Sequence, residues 1–222
     1  MRRSALYIIC LLCLAFLQFS CKDDAYTYPP VQLEFVSMHT TASGTVDYFL
    51  NDDDKAYHVD NPSRIANLRP DTIYRMVCNY EVTGIPSATT KGSAFIYTSL
   101  QPVSVNPVAV GAIVGEVKTD PLEVQSIWKK NPDYINMVLL VKNQGGKHLF
   151  HFVEQGITTE AGRKKLTLLL FHDKRNDVEA YTERAYLSVP LLKYKNILKD
   201  GDVIDFQINT RSEGIKTYSF TY

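Results

Sequence analysis

The strongest constraint on this chain is a period of two near its C-terminus. Ile204, Phe206 and Ile208 alternate with Asp205, Gln207 and Asn209, and Tyr218, Phe220 and Tyr222 alternate with Thr217, Ser219 and Thr221. Successive side chains of a strand point to opposite faces, so each run is a strand with one apolar and one wet face; a helix needs apolar residues three and four apart. Ser212-Glu213-Gly214 between them is a turn, making the two runs a closing hairpin. The alternation recurs at Tyr74, Met76, Cys78, Tyr80 and Val82, with Arg75, Asn79 and Glu81 on the other face and Ile73 and Val77 among them.

Other strands fill in around these. Residues 31–37, 45–50 and 55–59 come first, the last two joined by the turn cluster Asn51-Asp52-Asp53-Asp54. Asp60-Asn61-Pro62 ends that unit, and residues 63–68 supply one helical turn. Residues 93–100 form a further strand. The apolar stretch 108–115, with Gly111 and Gly115, is too short to span a membrane and is expected as a strand. Beyond it, residues 135–142 and 147–154 flank Gly145-Gly146, which suggests a hairpin. Residues 166–171 are almost continuously apolar, as in a central strand, and residues 185–192 contain Pro190, which requires an edge or a bulge. Asp200-Gly201 is a turn. The 14 Tyr and 10 Phe against a single Trp suit strands. The class is all-β, with one unit over residues 31–107 and a second, sandwich or barrel, over 108–222.

The N-terminus carries an address. Arg2 and Arg3 precede an apolar run from residue 5 to 19, and Ser20 stands before Cys21. Charge, apolar core and small residue mark a signal peptide over residues 1–20. Leu17-Gln18-Phe19-Ser20-Cys21 resembles a bacterial lipobox, departing from it at Gln18. Cys21 is then the acylated residue, and residues 21–30 are an acidic tether. Two or more acyl chains, at ~0.8 kcal/mol per buried methylene, hold a protein stably on a membrane. Lys22, Asp23 and Asp24 are similar to the lipoprotein export signal of Bacteroidota, which implies an outer-membrane protein facing the cell surface. Of the four Cys, Cys10 and Cys13 fall inside the leader and Cys78 lies on the apolar face of its strand, so no disulfide framework or multi-cysteine zinc site is available.

The order of motifs resembles a family. Asp120-Pro121-Leu122-Glu123-Val124-Gln125-Ser126-Ile127-Trp128, Tyr134-Ile135-Asn136-Met137-Val138, His148-Leu149-Phe150-His151-Phe152 and Ala185-Tyr186-Leu187-Ser188-Val189-Pro190-Leu191 follow a lipobox and a five-strand-like unit. This is similar to the NigD-like lipoproteins of Bacteroidota, over nearly all of the mature chain. The resemblance implies an OB-like five-stranded N-terminal barrel, a C-terminal β-sandwich and, by analogy alone, bacteriocin immunity. It transfers no catalytic or ligand residue; only Cys21 carries a role.

The residues themselves point away from catalysis. No nucleophile elbow, P-loop or dinucleotide fingerprint is present, and no cofactor is implied. An OB-like barrel invites nucleic acid, but residues 28–107 hold five basic side chains (Lys55, Arg64, Arg69, Arg75, Lys91) against eight acidic ones, which gives no phosphate-tracking groove. His148 and His151, three apart in a strand, fall on opposite faces and do not share a metal. His172-Asp173, with Asp177, Glu179 and Glu183, is expected as a solvated hairpin between residues 166–171 and 185–192. A hydrolase-type acid/base set or a cation loop around His172 is the catalytic alternative. Asp52-Asp53-Asp54 fits a turn better than a cation site. Trp128 and Tyr134 flank Lys129-Lys130-Asn131-Pro132 and are the candidate ligand contacts, against the plainer role of Trp128 as a core plug. The reading is a membrane-anchored, non-enzymatic module for an envelope protein or glycan.

Overall fold

The structure, a computed structural model, describes residues 30–222 apart from residue 66. The leader, Cys21 and its neighbours Lys22, Asp23 and Asp24 lie outside the described residues. Residues 31–222 form one compact unit.

Five strands make a closed barrel: β1 (Val31–Thr40), β2 (Val46–Asn51), β3 (Ala56–Val59), β4 (Ile73–Gly84) and β5 (Gly92–Leu100), in the order β1-β2-β3-β5-β4. β3 and β5 pair parallel, and β4 returns to β1, so no edge is left. The inward alternation of β4 holds: Met76, Cys78 and Tyr80 are buried beside Met38, Phe49, Ala94 and Ile96. Cys78 is a fully buried core residue.

Eight more strands form a sandwich. These are β6 (Val108–Ala109), β7 (Glu123–Trp128), β8 (Tyr134–Asn143), β9 (Leu149–Glu160), β10 (Arg163–Asp173), β11 (Tyr181–Pro190), β12 (Val203–Thr210) and β13 (Gly214–Thr221). One sheet has the order β13-β12-β10-β9-β6, the other β11-β8-β7. Met137, Leu139, Leu187 and Val189 of the smaller sheet pack on Phe152, Leu166, Leu168, Ile204 and Phe206 of the larger. β10 is central, Pro190 ends an edge strand, and β12 and β13 form the expected hairpin.

Three expectations fail. Gly145-Gly146 is no hairpin turn, because β8 and β9 belong to different sheets. Residues 174–180 likewise cross between sheets and do not close a hairpin of β10 and β11. The strand expected over residues 108–115 stops after Ala109 and continues as a 3-10 turn, Val110–Ala112. β7 lay unrecognised within a motif noted only for its resemblance.

Barrel and sandwich meet over the outer face of β1 and β4. Val77 and Phe35 are buried there although they point away from the barrel core. Val103 extends the smaller sheet, exchanging backbone hydrogen bonds with Tyr186 and Ser188 of β11.

Candidate functional site

The junction is built around a cation. Arg75 sits on the outer face of β4, in register with Ser37 of β1, where the sandwich covers it. Its Nη2 donates to both carboxylate oxygens of Asp52, at 2.7 and 3.0 Å, and to Asn136 Oδ1 at 2.9 Å. Nε donates to Ser188 Oγ at 3.1 Å and Nη1 to Ser37 Oγ at 3.3 Å. Asn136 and Asn131 donate to Asp52 in turn, at 2.6 and 2.9 Å. The network therefore ties a barrel turn and a barrel strand to β8 and β11. A buried charge pair needs its remaining donors and acceptors filled to be tolerated, and here they are.

Aromatic rings enclose the guanidinium. Tyr134 lies under it, 4.1 Å from ring centroid to the guanidinium carbon, and Phe35 flanks it at 5.6 Å. Tyr134 is thus engaged with Arg75. Trp128, at the end of β7, meets Phe35 edge-on at 5.6 Å. It is half-buried at the junction and is not a member of the sandwich core.

Beside this network a cleft of about 220 Å³ opens between barrel and sandwich. Phe35 and Trp128 form an apolar wall. Glu34, Asp52 and Asp53 supply carboxylates, and Lys130 pairs with Asp53 at 2.6 Å. Glu34 Oε2 accepts from Tyr80 Oη at 2.7 Å and from Asn51 Nδ2 at 3.3 Å, which fixes its direction. The burial and the Glu34 contact push the Tyr80 phenol well above its usual range. An aromatic wall with oriented acceptors suits hydroxyl-rich or amide-bearing ligands. The expected pair Trp128 and Tyr134 is brought to one junction, but only Trp128 lines the cleft. Arg75 and Asp52 were missed. The signal available was the presence of Val77 on the supposedly wet face of β4, where it is buried, while Ile73 on the same face stays exposed.

The His172 cluster is not a solvated hairpin. His172 is 3 % exposed, stacked on Phe150 at 4.7 Å, with Nδ1 on the Asp120 carbonyl at 2.8 Å and Nε2 on His148 Nδ1 at 2.9 Å. Both ring nitrogens have protein partners, so neither is offered to a substrate. The burial comes from residues 118–120, which pair with His172 through the backbone. His148 precedes β9 and partners His172, while His151 caps its neighbour's amide, Phe152, at 2.9 Å. Among the described residues no group of three or more His, Cys, Asp or Glu is arranged to hold a metal, and no helix is long and apolar enough to cross a membrane.

Comparison with known proteins accords with this architecture. No curated protein matches the chain. A solved NigD-like immunity protein from Bacteroides caccae is similar at 29% identity and TM-score 0.67, over 89% of this chain and 99% of that one. A protein of unknown function from Bacteroides vulgatus shares the fold at 15% identity and TM-score 0.65, over 86% of this chain and 90% of that one. A candidate lipoprotein from Bacteroides fragilis does so at 13% identity and TM-score 0.61, over 86% and 96%. Residues 106–222, just over half of the chain, match the NigD-like C-terminal β-sandwich domain. With that domain matched over residues 106–222 and a closed five-stranded barrel before it, the chain belongs to the NigD-like family.

Proposed function

We propose that this protein is a lipid-anchored, outer-membrane module, displayed on the cell surface, which binds an envelope protein or glycan without chemical turnover. The cleft at the barrel–sandwich junction carries the reading. It joins an exposed part of Trp128 to acceptors whose direction is fixed by neighbours, in a place where two rigid β units meet. Binding sites favour such junctions. Cys21 would supply attachment, and Asp23 and Asp24 the export signal.

The test is a screen of the chain from residue 22 onward against surface glycans and envelope extracts. Capture is expected, and Trp128→Ala should weaken it at least tenfold while leaving the fold intact. No capture of any kind, or capture indifferent to Trp128→Ala and Glu34→Gln, would count against the cleft. A second reading, bacteriocin immunity, is favoured by the name of the Bacteroides caccae relative. Deleting the gene and challenging cells with bacteriocins of related strains separates the two, since unchanged sensitivity would remove immunity and leave ligand binding standing.

A further inference from the structure

Two of the four crossings between the sandwich sheets meet at one end of it. Residues 144–148 carry the chain from β8 to β9, and residues 174–180 carry it back from β10 to β11. Asp177 joins them: its Oδ2 accepts from the amides of Gln144 at 3.0 Å and Gly146 at 2.9 Å. A Cβ on Gly146 would stand 2.6 Å from the Asp177 carboxyl carbon, so only glycine permits this approach. The amide of Gln144, then that of Gly146, holds the Asp177 carboxyl below the usual carboxylate range. Beneath this contact His148 and His172 lie against each other.

Their protons follow by elimination. The Asp120 carbonyl can only accept, so His172 Nδ1, 2.8 Å away, carries a hydrogen. Burial keeps His172 below its ordinary range and therefore neutral, which leaves its Nε2 bare. His148 Nδ1, 2.9 Å from that bare nitrogen, must be the donor. His148 Nε2 remains. It is buried, has no hydrogen-bond partner, and faces Asp177 Oδ2 at 3.5 Å. A lone pair there would set two acceptors against each other away from water. A proton there turns the same contact into a charge-assisted one.

We propose that His148 is held as an imidazolium between Asp177 and His172, and that this buried proton fastens the two crossings together as a pH-sensitive clasp. The charges around it are otherwise engaged. Lys118 takes Asp173 at 2.9 Å, and the Lys174 amide takes Asp120 Oδ2 at 2.7 Å. Lys174 Nζ and Arg211 share Glu179, and Glu183 accepts from Asn143. Lys147 adjoins His148 in the chain. Asp177 is the carboxylate aimed at the His148 ring. Lowering the pH protonates His172 Nε2, which then confronts the His148 donor and loosens the clasp.

Long-range proton–nitrogen NMR on the chain from residue 22 onward, which contains the whole compact unit, reads the ring protons directly. At neutral pH both His148 nitrogens should be protonated, with His172 protonated at Nδ1 alone. Asp177→Asn keeps the shape and removes the charge. It should return His148 to the neutral form and speed amide exchange at Gln144 and Gly146 about tenfold, the loss of one charge-assisted hydrogen bond. A bare His148 Nε2 in the unaltered protein overturns the proposal, and that reading does not depend on any variant folding. So does an imidazolium that persists in Asp177→Asn.

Discussion

Replacing Arg75 by Met tests the junction. The change keeps most of the apolar stem and removes every donor. Arg75 is 6 % exposed, and its loss would leave Asp52 with Asn131 and Asn136 alone, with Ser188, Ser37 and Tyr134 facing a vacated site. Breaking a buried pair on one side costs ~3–5 kcal/mol, and a desolvated ring contact adds ~1. Because two amide donors stay on Asp52, we place the total near the low end, about 4 kcal/mol. With a urea slope of about 3 kcal/mol per molar, the midpoint should fall by about 1.3 M. Urea unfolding followed by tryptophan fluorescence suits this, since Trp128 is the single Trp and sits at the junction. Arg75→Met combined with Asp52→Asn should recover part of the loss, because no bare charge then remains. A midpoint shift under about 0.4 M for the single variant would refute the argument that this cation holds barrel to sandwich.

Other outcomes follow from burial and close approach. Burial lowers the His172 value from 6.5, so the unfolded chain binds that proton more readily. Its stabilising share is present above that value and is lost as pH falls through the lower folded one. Thermal midpoints should therefore drop as pH falls below 6.5, and a flat profile in a His148→Gln background would contradict this. Burial pushes the Cys78 thiol up to about 12. It should resist alkylation in the native protein and react fully in denaturant; rapid native labelling would show the barrel core to be open. A Cβ on Gly92 would lie 2.4 Å from the Gly84 carbonyl oxygen and 2.8 Å from the Tyr57 ring, where β5 closes on β3. Gly92→Ala should thus cost roughly 1–3 kcal/mol by calorimetry, and an unchanged midpoint would mean the barrel yields there.

Strand existence and buried face were legible because a period of two is a local property. Tyr80 and Phe206 could be placed in cores from their neighbours alone. Pairing was not legible to the same degree. Gly145-Gly146 supplies a turn whether the chain doubles back within a sheet or crosses to the opposite one, and nothing within four residues distinguishes the cases. His172 was misjudged for a related reason. Its sequence neighbours Asp173, Lys174 and Asp177 are polar, while the residues that bury it, Lys118 to Asp120, lie more than fifty positions earlier. Arg75 looked solvated because alternation assigns it to the outside of the barrel, which is correct; that the sandwich covers this outside is a tertiary fact. Trp128 was picked out for its chemistry, and its partner Phe35 could not be known from so distant a segment.

The placement of β10 has a consequence for how the chain reaches this state. On one side β10 pairs with β9 across the short turn at Ala161 and Gly162, a hairpin that forms in ~1–10 μs. On the other it pairs parallel with β12, with Leu168 opposite Phe206, and the whole of β11 intervenes. That contact requires a long loop to close before it yields any burial, so it belongs to the slow, late phase of folding. Until β12 and β13 arrive, β10 presents an open, strongly apolar edge able to recruit another chain. The last twenty residues are therefore the step that ends the aggregation-prone interval, and a chain cut short of Val203 should fail by self-association before it fails by loss of any binding surface.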